Sequence, residues 1–222
     1  MKSMKTMVIA LCAGIVMTGC NNMAKGTAIG AAGGAALGAI VGKIAGNTVV
    51  GAAVGTAVGA GTGAIIGRHM DKVKAQAQAV ENAQVEQITD ANGFNGVKVT
   101  FDSGILFATN SSNLSSSANS CITQISNVLK QNTDVDVAIF GHTDSTGSDK
   151  INDPLSLKRA QAVEKSLKNK GVTNIKRVEG QGSHNPVADN STAEGKKQNR
   201  RVEVYMYASE AMINAANNGT LQ

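Results

Sequence analysis

This sequence of 222 residues has few aromatic side chains and a small net charge. It contains no Trp, two Tyr and four Phe, so it offers little aromatic surface on which nucleotide bases could stack. The formal net charge is +5, and it falls by two when a leader carrying Lys2 and Lys5 is removed. Such a weak positive charge does not attract a polyanion strongly. We therefore expect no nucleic-acid partner.

Cysteine is also scarce, which excludes a disulfide-stabilised fold. Of the three cysteines, Cys12 lies in an N-terminal apolar leader and Cys20 follows it at once. If Cys12 is removed and Cys20 is acylated, only Cys121 remains, and an exported protein without disulfides depends on its hydrophobic core. Cys121 lies in a helical pattern with Ile122, Ile125 and Leu129, which predicts a buried structural thiol rather than a nucleophile.

The leader itself has the pattern of an export signal. Lys2 and Lys5 precede an apolar stretch from Met7 to Met17 that is too short to span a membrane. Residues 17–20, Met-Thr-Gly-Cys, resemble a lipobox, in which a peptidase cleaves before the cysteine and its sulfur receives a diacylglycerol. We predict a signal peptide at 1–19 and a lipidated N-terminus at 20–25, anchored through Cys20. An ordinary signal peptide with a chance cysteine is the alternative.

Glycine, by contrast, is abundant and periodic. It occupies every fourth position from Gly26 to Gly46, and again from Gly51 to Gly67. In water, each such glycine would weaken a helix by about 1 kcal/mol, so helix propensity does not explain the pattern. A period of four places the glycines one turn apart on one helix face, where another backbone can pack closely, as in GxxxG contacts within membranes.

We predict that residues 26–67 form a glycine-zipper helical hairpin that dips into a membrane. The period slips at Asn47 and Thr48, where a hairpin would turn. Each arm has about 17 to 21 residues, or about 25 to 31 Å as a helix, close to the thickness of a bilayer's hydrocarbon core. Lys43 is the one charged residue in the arms, and its position near the turn lets it reach the interface. A flexible Gly/Ala linker is the alternative.

Residues 68–91 change to a charged, Gln-rich composition. Val73, Ala77, Val80 and Ile88 recur near helical spacing. The segment therefore predicts an exposed helical stalk or linker with a reach of about 30 Å. A solvated helix without a partner is the alternative.

The remaining sequence is long enough for one compact domain, which we place at 92–210, with a C-terminal tail at 211–222. The predicted elements are strands at Val97–Phe101, Val135–Gly141, Ile175–Gly180 and Arg200–Tyr207, main helices at Ser115–Gln131 and Leu155–Asn169, and a short helix around Glu210–Asn217. For the second main helix, Asp153 is the predicted N-cap, Pro154 the first residue and Gly171 the residue beyond the end. We expect an α/β (α+β) sandwich, with one mixed sheet of about four strands packed against two main helices.

Asp144 and Arg159 are an acid and a base that follow the second predicted strand. Asp144 lies just beyond its carboxyl end, where ligands bind in α/β layers. Arg159 shares a helical stripe with Val163 and Leu167, so its guanidinium would point inward and require a partner. From spacing alone, a structural role is favoured over a ligand site: Asp144 would pair with Arg159 or make an Asx-turn bond.

Several short motifs follow one another over most of the segment from Val97 to Tyr205. The motifs are Phe107–Leu114 (FATNSSNL), Gly141–Asp144 (GHTD) with Thr146 and Gly147, the run Asn152, Leu155, Ser156, Arg159, Ala160 and Val163, Asn185–Asn190 (NPVADN), Thr192, Glu194 with Gly195, and Asn199–Glu203 (NRRVE). Through them, the domain resembles the OmpA-like (OmpA C-terminal) peptidoglycan-binding family. With the lipobox and the glycine zipper, the whole chain resembles outer-membrane lipoproteins of that family.

The resemblance implies recognition of the diaminopimelate side chain of peptidoglycan stem peptides, which ends in an ammonium and a carboxylate on one carbon. Asp144 matches the family's ammonium-binding Asp, and Arg159 matches its carboxylate-binding Arg. Asn110, Asn152 and Arg200 match further positions that line the site, although a surface salt bridge is the alternative role for Arg200. A lysine-type stem peptide would leave Arg159 without its anion.

The sequence gives no sign of a catalytic or metal centre. His142 lies two residues from Asp144, but His69 and His184 fall in other segments, so no set of residues has metal-ligand spacing. No serine lies in a G-x-S-x-G setting. We therefore predict that the protein is not an enzyme and uses no metal or other cofactor.

Together, these features predict a lipid-anchored outer-membrane lipoprotein that binds peptidoglycan non-covalently. Acylated Cys20 and the zipper helices would hold the outer membrane, and the domain would face the periplasm and tether the membrane to the wall. The alternative is a self-associating membrane assembly or pore component, a homo-oligomer formed by the zipper, in which wall binding only positions the protein.

Overall fold

The computed structural model describes residues 60–90, 93–108 and 111–221. The predicted signal peptide, acylated Cys20 and the hairpin as far as residue 59 lie outside these ranges and stay predictions. Within the described ranges, no helix combines the length and the apolar character needed to cross a membrane.

Helices and strands follow one another along the described part of the chain. In order they are α1 (Ala60–Ala77), β1 (Ala83–Thr89), β2 (Asn95–Asp102), α2 (Ser103–Leu106), α3 (Ala118–Gln131), β3 (Val135–Gly141), α4 (Asp149–Asn169), β4 (Ile175–Gly180), α5 (Ala193–Asn199), β5 (Arg201–Ala208) and α6 (Glu210–Asn217). The four predicted strands and the two main predicted helices are all present. Their ends differ from the predicted ones mainly at the starts of α3 and α4.

The strands form one mixed, five-stranded sheet in the order β1-β2-β5-β3-β4. Neighbouring strands are antiparallel except β3 and β4, which are parallel. A parallel pair requires a crossover connection, and α4 provides it. The predicted α/β sandwich with a mixed sheet is confirmed, with five strands in place of about four.

One face of the sheet carries the main hydrophobic core. Strand residues such as Val99, Val137 and Val204 have no exposed surface and pack with apolar side chains of the helices. Cys121 of α3 is buried in this core as a free thiol, as predicted. The other face carries a smaller cluster, in which the rings of Phe140 and Tyr205 meet edge to face with their centroids 5.4 Å apart.

Residues 68–77 are not an exposed stalk, because α1 is part of the domain. The helix runs unbroken through residue 67, and Ile66, Met70, Val73 and Ala77 are almost completely buried in the main core. Their spacing of four, three and four residues places them on one face of the helix, and that face packs against the sheet and α6.

The second half of the predicted stalk is a strand. β1 pairs antiparallel with β2 at the edge of the sheet, and Ile88 is its one buried residue. On the same face of β1 as Ile88, Glu86 Oε2 lies 2.8 Å from Lys98 Nζ of β2. An edge strand that keeps most side chains in water needs no apolar alternation, which is why its Gln-rich sequence resembled a solvated helix.

Much of the segment 211–222, which was predicted to be a C-terminal tail, is packed against the domain. α6 forms where the short helix was predicted, and Ser209 caps it by accepting a hydrogen bond of 3.1 Å from the Met212 amide. Met212, Ile213 and Ala216 are buried in the main core. The compact unit therefore extends from α1 to α6.

α4 begins at Asp149, six residues before the predicted start at Leu155. Ser148 is its N-cap residue, and the Ser148 carbonyl accepts hydrogen bonds from the amides of Ile151 and Asn152, both 2.9 Å. Pro154 therefore lies inside the helix, and Asp153 is not the cap. The end of the helix was predicted correctly, because Gly171 follows it with φ at 89°, a conformation that favours glycine.

Candidate functional site

Two glycines bring α4 close to the carboxyl ends of β3 and β4. A Cβ atom at Gly141 would overlap the carbonyl oxygen of Ser156, and a Cβ atom at Gly180 would lie 2.5 Å from the Leu157 nitrogen. Any side chain at either position would therefore push the helix away from the sheet. Because α4 lies this close, Arg159 reaches the region that follows β3.

Asp144 lies in the turn that follows β3, and its carboxylate is fixed from two sides. Oδ1 accepts a hydrogen bond of 2.8 Å from the Thr146 amide, which is an Asx-turn bond. Oδ2 accepts a bond of 2.5 Å from Nη1 of Arg200. The residue is only 6% exposed. Asp144 therefore pairs with Arg200, and the alternative in which it pairs directly with Arg159 is wrong.

These contacts keep Asp144 ionised. Burial alone would raise the pKa of its carboxyl, but the hydrogen bonds from Arg200 and Thr146, together with the charge of Arg200, lower the pKa below its ordinary value. The carboxylate is therefore negatively charged at neutral pH and suited to an ammonium group.

Asn152 holds the backbone of this turn. Its Nδ2 donates to the carbonyl oxygens of Asp144 and Thr146, at 3.3 and 3.2 Å, and the residue is 4% exposed. Asn152 thus positions the Asp144 carboxylate through main-chain contacts. The earlier start of α4 is what places this side chain inside the helix and beneath the turn.

Arg159 is buried beside the turn, with its charge only partly compensated. Its Nε donates 3.1 Å to the Ser111 carbonyl, and its guanidinium carbon lies 5.4 Å from the centroid of the Phe107 ring. Within the described ranges, Nη1 and Nη2 have no hydrogen-bond partner. Burial lowers the pKa of Arg159, the nearby charge of Arg200 lowers it further, and Asp144 raises it. An arginine nevertheless stays protonated in proteins.

Asp144, Asn152, Arg159 and Arg200 line one cavity of about 430 Å³. The other lining residues are Ser103, Gly104, Phe107, Ala108, Thr143, Thr146, Ile151 and Leu155. The structure therefore brings four of the five predicted site residues together. The fifth, Asn110, lies outside the described residues.

Two hydroxyl groups in the lining were not predicted from the sequence. Ser103 is 2% exposed and Thr143 is 6% exposed, and neither Oγ of Ser103 nor Oγ1 of Thr143 has a hydrogen-bond partner among the described residues. Thr143 adjoins Asp144 in the GHTD motif and could have been found there. Ser103 is the first residue of α2 and precedes the first family motif, so no motif in the sequence indicates that it lines the site.

A second cavity of about 370 Å³ lies on the opposite face of the sheet. Its buried charges are paired with one another: Arg201 Nε donates 2.8 Å to Glu203, and Glu203 also lies 3.2 Å from Nε2 of His142. Burial lowers the pKa of His142 and favours its neutral form. Because the buried Glu203 has Arg201 beside it, the buried charges of this cavity compensate each other, whereas Arg159 in the first cavity has no acidic partner among the described residues.

The structure also brings together three side chains that sequence spacing kept apart. Nε2 of His184 lies 3.0 Å from Oδ1 of Asp153, and Asp149 completes an exposed group of potential metal ligands. The expectation of no metal rested on finding no set of possible metal ligands in the sequence, and that reason was wrong. That the protein uses no metal stays a prediction.

Comparison with known proteins gives a family for the segment that holds the cavity. Residues 106–200 match the OmpA family, and residues 1–71 match the YMGG-like Gly-zipper family. Residues 106–200 are an OmpA family domain. Asp144, Asn152, Arg159 and Arg200 all fall within it, whereas Ser103 precedes it.

Relatives of the OmpA domain occur in proteins of different length. Over 140 residues, the chain is 34% identical to the probable lipoprotein YiaD of Escherichia coli, and the alignment covers 63% of each chain. Over 85 residues, it is 46% identical to the peptidoglycan-binding protein ArfA of Mycobacterium tuberculosis, covering 37% of this chain and 26% of ArfA. The chain thus spans less than two thirds of the length of either relative.

A solved structure has the same fold. The cell wall anchor of the T6SS from Pseudomonas aeruginosa superposes with a TM-score of 0.51 at 26% sequence identity, and the match covers 63% of this chain and 97% of that chain. This chain therefore shares its mixed α/β sheet and helices with that wall anchor.

Proposed function

We propose that the OmpA domain binds peptidoglycan non-covalently and recognises the diaminopimelate side chain of its stem peptides. One observation carries the proposal: a buried carboxylate, Asp144, and a buried guanidinium, Arg159, line the same cavity without pairing with each other. ArfA is named a peptidoglycan-binding protein, and the similar solved structure is described as a cell wall anchor. Both descriptions support a cell-wall ligand for the domain of this chain.

The chemistry of the two side chains suits a zwitterion. Each oxygen of the Asp144 carboxylate accepts one hydrogen bond and retains a further lone pair for an ammonium group. Nη1 and Nη2 of Arg159 have no hydrogen-bond partner in the described part of the chain, and a guanidinium binds a carboxylate through two parallel bonds. Asp144 would thus bind the ammonium and Arg159 the carboxylate of the same carbon.

This division of roles gives a basis for selectivity. A lysine side chain carries the ammonium but no carboxylate, so a lysine-type stem peptide would leave the buried Arg159 without an anion. Asn152 would act by holding the turn that carries Asp144. A role for Asn110 in lining the site stays a prediction.

The rest of the chain suits a tether between membrane and wall. We infer that acylated Cys20 and the zipper segment hold the outer membrane, while the domain faces the periplasm and binds the wall without catalysis. The lipobox at 17–20, the Gly-zipper match at 1–71 and the naming of YiaD as a probable lipoprotein support this arrangement.

A second candidate function rests on the glycine period itself. If the zipper drives assembly, the protein would form a homo-oligomer or pore, and wall binding would only position it. Oligomers that survive detergent, and that disappear when Gly34 and Gly38 are replaced by Leu, would favour this function over a monomeric tether.

Sedimentation with insoluble peptidoglycan tests the proposed ligand. The full chain in detergent is expected to sediment with wall material that contains diaminopimelate and to stay in solution with wall material that contains lysine. Asp144→Ala and Arg159→Ala should each weaken retention by about tenfold or more. Lys158→Gln removes an exposed neighbouring charge and should sediment like the wild type. Equal retention of all four proteins would contradict the proposal.

A further inference from the structure

The cavity has one more positive charge than a zwitterion can balance. Among the described residues that line it, Asp144 is the one acid, and Arg159 and Arg200 are bases. A bound ammonium and carboxylate add no net charge, so the occupied site would keep one uncompensated cation. Binding sites generally match the charge of their ligand, which indicates that a further anion belongs there.

Arg200 is the cation that is placed to bind this anion. It uses Nη1 for Asp144, while its Nε and Nη2 have no hydrogen-bond partner in the described part of the chain. Its side chain is 39% exposed, so a ligand can reach it. Its backbone is fixed, because its amide donates 3.1 Å to the Lys196 carbonyl and its carbonyl accepts 2.9 Å from the Ser103 amide.

The two guanidinium groups also act on each other. Burial is the largest cause of the lowered pKa of Arg159, and the positive charge of Arg200 is the second. The two guanidinium groups that line the cavity therefore repel each other. A second anion near both would relieve this repulsion. A cavity of about 430 Å³ falls within the usual range for small-molecule sites, so it leaves room beyond the zwitterionic end of one side chain.

We propose that Arg200 binds a second carboxylate of the ligand, and that the site therefore prefers stem peptides that end at diaminopimelate. In such peptides, the α-carboxylate of diaminopimelate is free, whereas a following residue would convert it to an amide. This inference rests on the proposed function, because it assumes that the zwitterion occupies Asp144 and Arg159. It makes Arg200 a specificity residue for the end of the stem peptide.

Calorimetric titration of the full chain with two synthetic tripeptides tests the proposal. Both peptides end at diaminopimelate and keep its side-chain zwitterion, but one has a free α-carboxylate and the other a carboxamide. The wild type is expected to bind the free acid about tenfold more tightly, as for a partly exposed charge-assisted contact. Arg200→Gln should bind the two peptides equally, and Arg200→Lys should retain part of the difference.

Lys158→Gln is the matched control, because it removes an exposed positive charge next to Arg159 in the chain, outside the cavity lining, and should keep the wild-type ratio. Equal binding of both peptides by the wild type would overturn the inference while the proposed function stands. A ratio unchanged in Arg200→Gln would overturn it as well. If neither peptide binds the folded wild type, both the inference and the proposed function fail.

Discussion

Arg200 and Asp144, which are 56 residues apart in the chain, form an ion pair in the lining of the cavity, with Nη1 and Oδ2 2.5 Å apart. The sheet explains their meeting. β3 and β5 are antiparallel neighbours in which Gly141 is opposite Val202, so the residues that follow β3 lie beside those that precede β5. The pair therefore depends on strand order, because adjacent β3 and β5 bring Asp144 and Arg200 to the same end of the two strands.

The ion pair predicts an acid dependence of stability. Because the pKa of Asp144 is lowered below 3.8 in the folded state, its contribution is present above that pH and is lost as the pH falls through the lower, folded value. Thermal melts of the wild type and Asp144→Asn should differ by about 1 kcal/mol at pH 7 and converge in acid. A difference that is constant from pH 7 to pH 2.5 would contradict this assignment.

Gly141 is predicted to tolerate no side chain. Gly141→Ala would place a methyl group on the Ser156 carbonyl and should destabilise the fold by about 3 kcal/mol, with α4 displaced and ligand binding weakened. Gly63→Ala is the control, since a Cβ there meets nothing within 4 Å and the change should be neutral or stabilising by up to about 1 kcal/mol. Denaturant unfolding of both variants measures the contrast.

Helix α1 is predicted to be essential for the stability of the domain. Met70 is 1% exposed, so Met70→Ala should cost about 2 to 4 kcal/mol, whereas Asp71→Ala on the solvent side should change the free energy of unfolding by less than about 0.5 kcal/mol. A fragment that begins at residue 92 lacks α1 and β1 and should melt at a much lower temperature than one that begins at residue 60. Equal melting temperatures would mean that the packing of α1 contributes nothing.

The buried pair of Arg201 and Glu203 is predicted to respond strongly to the loss of one partner. Both side chains are 5% exposed, so Glu203→Ala would leave a buried guanidinium without its carboxylate, at a cost of about 3 to 5 kcal/mol. Glu164→Ala removes one member of the exposed helical pair with Lys168 and should cost about 0.5 kcal/mol or less. Urea titrations of the two variants test the difference, and similar costs would contradict it.

The sequence was informative wherever local patterns determine structure. β-branched runs located β3 and β4 at their observed bounds, and the GHTD and NRRVE motifs led to Asp144 and Arg200. It was less informative where long-range contacts decide. β1 is a strand only because β2 lies beside it, and α1 is buried only because the sheet covers its apolar face. The partner of Asp144 was mistaken for the same reason, because it depends on the pairing of β3 with β5.

The most direct test of the central claim is calorimetric titration of the full chain with a stem tripeptide that contains diaminopimelate, beside its lysine analogue and the Asp144→Ala and Arg159→Ala variants. We predict binding of the diaminopimelate peptide by the wild type, no measurable binding of the lysine peptide, and loss of binding in both variants. Absence of binding by a wild-type protein with a native circular dichroism spectrum, or undiminished binding by both variants, would contradict the claim that Asp144 and Arg159 recognise this zwitterion.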